Sequence, residues 1–306
     1  MNDTTKPPRA RANANVHVEV RRPFLRRYEP LAPCGSGGMG TVFRARDLED
    51  GTPVAVKVIP RPDDWQRIQR EIEALRCIDH PNVVRMLDCG FEDEQVVLVM
   101  EFVDGPTLSA LLERERVVPW CSALEVAASV LEGLVRVHEV GLVHRDIKPS
   151  NLIVEDLRRG AVKILDFGIV KPLDENRRIT EVGTVVGTPA YMPPEQLLGL
   201  RIGPSADVYA VGLVLLQMLT TLGPRTRDMH QLSTKMRLSF RLPRPEDGGP
   251  PEALLPLLRS MLNPMPERRP SSAAWCVQEL RRILAEGDVP QIRRRHETTV
   301  KVASAP

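Results

Sequence analysis

The rhythm of apolar and polar positions changes once along this chain. From Tyr28 to about Val103, short β-branched runs (Thr41-Val42-Phe43, Val54 to Ile59, Val96 to Val99) alternate with turn residues and predict strands. One helix interrupts them over roughly 64–78, where Trp65, Ile68, Ile72 and Leu75 recur on a single face. Beyond Asp104-Gly105 the pattern becomes helical. Ala123, Val126, Ala127, Val130, Leu131, Leu134 and Val137 trace one stripe that ends near Gly141. Val208 to Leu219 is apolar nearly all round, as in a helix buried inside a domain. A last helix, capped by Ser271 or Ser272, carries Trp275, Leu280, Ile283 and Leu284 and stops at Gly287. The pattern predicts a small β-rich lobe over 28–103 hinged to a larger helical lobe over 104–286. A polar, basic arm (1–22) and a basic tail (287–306) read as flexible.

Composition narrows this little. The chain has 306 residues with 42 Lys+Arg against 40 Asp+Glu, a net charge of +2 that calls for no nucleic acid. Five scattered cysteines without CxxC spacing fit a reduced, cytoplasmic chain with neither a disulfide framework nor a zinc site. Val208 to Leu219 is too short to span a bilayer, so no membrane span is expected. Lysine is rare: it occurs only at 6, 57, 148, 163, 171, 235 and 301, and the other basic residues are arginine. Each retained lysine therefore asks for a reason.

Four segments carry chemistry. Gly35, Gly37 and Gly40, in Gly35-Ser36-Gly37-Gly38-Met39-Gly40-Thr41-Val42, let backbone N–H groups approach phosphate oxygens. A strand follows the glycines rather than a helix, which suits a hairpin lid over phosphates and not a P-loop or dinucleotide fold. Lys57, 17 residues beyond Gly40, sits among apolar neighbours in a strand and needs a counter-charge. Glu71, flanking the apolar face of the 64–78 helix, is the expected partner, with Lys57 gripping the α- and β-phosphates. In His144-Arg145-Asp146-Ile147-Lys148-Pro149-Ser150-Asn151, Asp146 can accept the proton of an attacking hydroxyl. Lys148 can neutralise the moving phosphoryl group there, and Asn151 can ligate Mg²⁺. Asp166-Phe167-Gly168 lies 20 residues beyond Asp146 and offers a hard carboxylate for Mg²⁺.

These strings, with DHPNVVRMLDCG, VMEFVDG and VGTPAYMPPEQ, resemble the eukaryotic-type serine/threonine protein kinases, most closely their bacterial branch. The likeness runs from about Tyr28 to Leu284. It implies an α+β bilobal fold and ATP-dependent transfer to Ser/Thr hydroxyls of protein substrates, the chain itself included, with Mg²⁺ as cofactor and Mn²⁺ able to substitute. By position, Met100 resembles the gatekeeper and Glu101 to Val103 the hinge that binds adenine. Val42, Ala55 and Ile153 resemble the residues that sandwich the ring. Leu75, Met86, His144 and Phe167 resemble the internal spine. Glu195 is expected to pair with Arg269, and Asp207 to anchor the catalytic loop.

The resemblance also points to Thr180, and after it Thr184, as candidates for activation-loop phosphorylation and to Thr188 as a structural partner of Asp146 and Lys148. In the tail, Thr298 and Thr299 follow a basic cluster, and Val302 lies three residues beyond Thr299. That pattern resembles ligands of phosphothreonine-binding forkhead-associated domains. The chain departs from the family at Cys34, where an aliphatic residue is usual, at Pro193, and in the arginine-rich stretch 223–245, a solvated loop or a docking surface for acidic partners. Two other readings compete. A pseudokinase scaffold would lack an equivalent of Lys57, Asp146, Asn151 or Asp166, and a small-molecule kinase would lack Gly187-Thr188-Pro189-Ala190-Tyr191; all are present.

Overall fold

The computed structural model describes residues 22–37, 40–61, 65–115, 117–167, 189–220 and 241–287. Its first lobe is a five-stranded antiparallel sheet of β1 (Tyr28–Gly37), β2 (Gly40–Asp47), β3 (Pro53–Pro60), β4 (Met86–Glu92) and β5 (Gln95–Glu101), in the order β1-β2-β3-β5-β4. Helix α1 (Trp65–Arg76) buries Ile68, Ile72 and Leu75 against it. Alternation along β3 divides the lobe into two cores. Val54, Val56 and Val58 join Tyr28, Phe43, Val97 and Val99 on the outer face. Ile59, Val96 and Leu98 join the α1 residues in the main core on the other face. Lys57 shares that second parity, so the strand period itself turns its side chain toward the cleft.

The second lobe is helical. Helices α2 (Leu108–Arg114) and α3 (Trp120–Glu139) lead to the hairpin of β6 (Leu152–Asp156) and β7 (Ala161–Ile164). Then come α4 (Pro194–Leu197), α5 (Pro204–Leu219), α6 (Leu254–Met261) and α7 (Ala273–Gly287). Every α5 residue from Ala206 to Leu219 is buried, as its all-round apolar sequence demands. Ser272, rather than Ser271, caps α7 by accepting the Trp275 N–H at 3.2 Å. Trp275, expected on the apolar face, is instead 43% exposed, and Cys276, Leu280 and Ile283 make that face. The alternation did not predict β4, because Asp88, Cys89 and Gly90 break it.

The lobes are joined by more than the linker after Glu101. Val84 donates to the Ile164 carbonyl (3.0 Å), Ile164 to the Asn82 carbonyl (2.8 Å), and Asn82 Nδ2 to the Val162 carbonyl (2.9 Å). Lys163 Nζ reaches Glu101 Oε1 at 2.6 Å. The segment before β4 is thus stitched to the hairpin that carries Asn151 and Asp166 at its ends. Among the described residues no helix is long and apolar enough to cross a membrane.

Candidate active site

Strand pairing supplies the roof of the cleft. Val42 stands opposite Lys57, and Ala55 opposite Met100, on adjacent strands. Ile153, on β6, bridges to Thr107 from below. Gly40 opens β2 with φ +126°, and a Cβ there would lie 2.2 Å from the Val58 carbonyl oxygen, so only glycine lets β2 lie this close to β3. Gly35 and Thr41 lie in the β1–β2 ladder, with Thr41 opposite Ser36 and Gly37 opposite Gly40. Cys34 is exposed in β1. Gly38 and Met39 lie outside the described residues, as do Gly168, Thr180, Thr184, Thr188, Thr298 and Thr299.

The counter-charge of Lys57 differs from the expected one. Lys57 Nζ lies 2.8 Å from Asp166 Oδ1, and not on Glu71. Glu71 Oε1 faces two guanidinium groups instead: Arg67 at 3.3 Å, one turn earlier on α1, and Arg145 of the catalytic loop at 3.7 Å. Competition for Glu71 accounts for the pairing. A carboxylate flanked by two arginines is already compensated, and the nearest remaining carboxylate for Lys57 is across the cleft. Arg67, four residues before Glu71, was the signal that the sequence offered.

Below the cleft, three side chains of one loop converge. Asp146 Oδ2 accepts Lys148 Nζ at 2.9 Å and Asn151 Nδ2 at 3.0 Å; Asn151 Nδ2 also lies 2.8 Å from the Asp146 carbonyl oxygen. Asn151 thus spends its amide nitrogen on Asp146, leaving its amide oxygen for another partner. Its carbonyl accepts the Leu165 N–H at 2.8 Å, which draws Asp166, the next residue, alongside. A carboxylate and an amide oxygen are hard oxygen donors of the kind that would suit a divalent cation such as Mg²⁺. Among the described residues no group of three or more His, Cys, Asp or Glu could hold a metal alone.

The loop is held from beneath by Asp207, at the start of α5. Its Oδ2 accepts the His144 N–H (2.9 Å) and faces His138 Nε2 (2.8 Å); its Oδ1 accepts the Arg145 N–H (2.9 Å). Burial pushes the Asp207 carboxyl up, but the His138 bond and ring and the His144 N–H outweigh it. The group is held below the ordinary carboxylate range. His144 is buried, with Nε2 on the Leu165 carbonyl at 2.9 Å and Nδ1 receiving the Asp146 N–H at 3.3 Å. Those partners require the neutral tautomer protonated at Nε2. Its ring packs against Phe167 with centroids 4.8 Å apart, and Leu75 and Met86 lie in or against the same core.

Sequence comparison matches residues 28–280 to the protein kinase domain family. The chain is 36% identical over 279 residues to the serine/threonine-protein kinase pkn3 of Myxococcus xanthus, covering 86% of this chain and 51% of that protein. It is likewise 36% identical over 234 residues to the serine/threonine-protein kinase PknL of Mycobacterium tuberculosis, covering 74% of this chain and 58% of that one. It therefore spans about half the length of these relatives. Among solved structures, Rad53 1–466 in complex with AMP-PNP is similar at TM-score 0.68 and 26% identity, covering 84% of this chain and 65% of that one.

Proposed function

The chain belongs to the protein kinase domain family, within its bacterial serine/threonine branch, and we propose that it transfers the γ-phosphoryl group of ATP to Ser/Thr hydroxyls of proteins, its own included. The observation that carries this reading is the convergence on Asp146: one carboxylate oxygen bonded to Lys148 and Asn151, with Lys57 and Asp166 paired nearby. Asp146 orients the attacking hydroxyl and takes its proton. Lys148, already beside that carboxylate, sets its positive charge next to the transferring group. Lys57 turns from Asp166 to the α- and β-phosphates, while the Glu101–Val103 backbone and Val42, Ala55, Met100 and Ile153 hold adenine. Asp166 and Asn151 would hold Mg²⁺, which would supply positive charge to the phosphates.

The family likeness also supports a kinase domain over 28–286 and activation by phosphate on Thr180 or Thr184; a tail site at Thr298 or Thr299 for a phosphothreonine-binding partner rests on the basic cluster and Val302 alone. Five free cysteines support a cytoplasmic location. A pseudokinase is disfavoured because all four catalytic side chains are present.

The test is incubation of the purified chain with labelled ATP and Mg²⁺, followed by phosphosite mapping by mass spectrometry. Label is expected on serine and threonine, and Asp146→Asn is expected to slow incorporation by at least ~100-fold, the usual scale of a lost general base. Label on wild type and Asp146→Asn at equal rates would contradict the assignment. Label confined to tyrosine would contradict the substrate class.

A further inference from the structure

Gln196 lies in the short helix α4 with only 2% of its surface exposed, a polar side chain that the motif chemistry does not use. Its Nε2 donates to the Arg145 carbonyl at 3.2 Å. That carbonyl belongs to the peptide joining Arg145 to Asp146, and the N–H of the same peptide is held by His144 Nδ1 at 3.3 Å. The plane that carries Asp146 is thus pinned on both edges, by Gln196 and by His144. It needs pinning: Arg145 has φ +64°, a conformation that a non-glycine residue keeps only when its surroundings enforce it. Asp207, holding the Arg145 N–H, fixes the residue's other end.

The orientation of the Gln196 amide follows from its partner. A carbonyl demands a donor, so reversing the amide would set two oxygens against each other. Oε1 is therefore turned away, and it is buried without a partner. Beside it lies a small cavity bordered by Arg145, Asp146, Tyr191 and Gln196, with about 10 Å³ open to the centre of a water molecule. That volume suits a single water, which would bond Oε1. A glutamine in this place costs desolvation unless both ends of its amide are used, and its donor end is spent on the backbone of the catalytic loop.

We propose that Gln196 is a positioning residue for Asp146, setting the Arg145–Asp146 peptide and, through it, the reach of the carboxylate to the substrate hydroxyl. The inference rests on the reading of Asp146 as the base. A misplacement of about 1 Å can cost roughly 10²-fold in rate, so a lost anchor is expected to lower turnover about 10–100-fold.

Three variants of the full chain test it, measured for turnover at saturating ATP and peptide and for affinity toward a fluorescent ATP analogue. Gln196→Met, of similar shape without a donor, is expected to lose turnover on that scale with nucleotide affinity within about twofold, since no ATP contact is touched. Gln196→Glu places a carboxylate against the Arg145 carbonyl at pH 8 and loses more. Its turnover is expected to recover toward pH 6 as the buried carboxyl, raised by desolvation, takes up a proton and its O–H donates a hydrogen bond to that carbonyl. Neither wild type nor Gln196→Met gains such a limb. Asp146→Asn separates the two claims. If it is inactive while Gln196→Met matches wild type, positioning alone is overturned; if it is as active as wild type, the base assignment falls instead. Equal losses of turnover and nucleotide affinity, a Gln196→Glu profile parallel to wild type, or failure of both Gln196 variants to fold would each reduce Gln196 to a stability element and overturn the proposal.

Discussion

Arg269 and Lys57 are both buried cations facing a carboxylate, and they are held in opposite ways. Arg269 lies under α5 with its side chain 0% exposed and Glu195 at 3%. Both its terminal nitrogens reach Glu195, at 2.6 and 2.7 Å, and its remaining donors go to the carbonyls of Asn263, Ser205 and Pro264. Its guanidinium also stacks on Tyr209 at 4.7 Å. All five N–H donors are therefore used. Lys57, 9% exposed, spends one of its three donors on Asp166, which is itself 36% exposed. The first pair is closed and the second is open. A charge with donors in reserve, facing a partner at the edge of solvent, can change partners when a ligand arrives, and one with none in reserve cannot.

The contrast is broken most severely at the closed pair. Arg269→Ala leaves Glu195 buried without its cation and is expected to destabilise the chain by about 3–5 kcal/mol in urea unfolding. A loss below about 1 kcal/mol would show that the pair is not the anchor its geometry describes. Asp207, also closed, comes next. Asp207→Asn keeps an acceptor but removes the charge that binds two backbone N–H groups and His138, an expected loss of roughly 1.5–3 kcal/mol.

Acid offers a second handle on Asp207. Its carboxyl is depressed below its ordinary value of 3.8 in the folded chain. The stability it contributes is therefore fully present above that value and is lost as pH falls through the lower, folded one. Unfolding curves collected from pH 7 downward are expected to show this loss below about pH 4 in wild type and to lack that component in Asp207→Asn. Glu71→Gln should do least of these. It loosens contacts to Arg67 and Arg145 at the cleft, and a change under about 1 kcal/mol is expected.

The same contrast explains what could be read from the chain. Asp146, Lys148 and Asn151 share one short loop, so their meeting follows from local sequence. The buried helix α5 and the strand that carries Lys57 announce themselves by composition and period. Glu195 and Arg269 also meet as expected. What misled was a choice between partners: Glu71 and Asp166 both offered Lys57 a carboxylate, and Asp166 lies 109 residues away along the chain. Only the placement of α1, with Arg67 and Arg145 around Glu71, decides between them. Gln196 was invisible for a related reason, since its value lies in one backbone carbonyl of a distant loop. Trp275 sat in an apolar stripe, yet the stripe is wider than the face that α7 buries.

The charges in the cleft serve exchange and not stability, and Lys57→Met separates the two. Its unfolding free energy and its rate of phosphate incorporation from ATP should be measured on the same preparation. The variant is expected to lie within about 1 kcal/mol of wild type in stability, because the open pair contributes little, and to show no measurable phosphoryl transfer. A variant destabilised as deeply as Arg269→Ala, or one that still transfers phosphate at the wild-type rate, would contradict it.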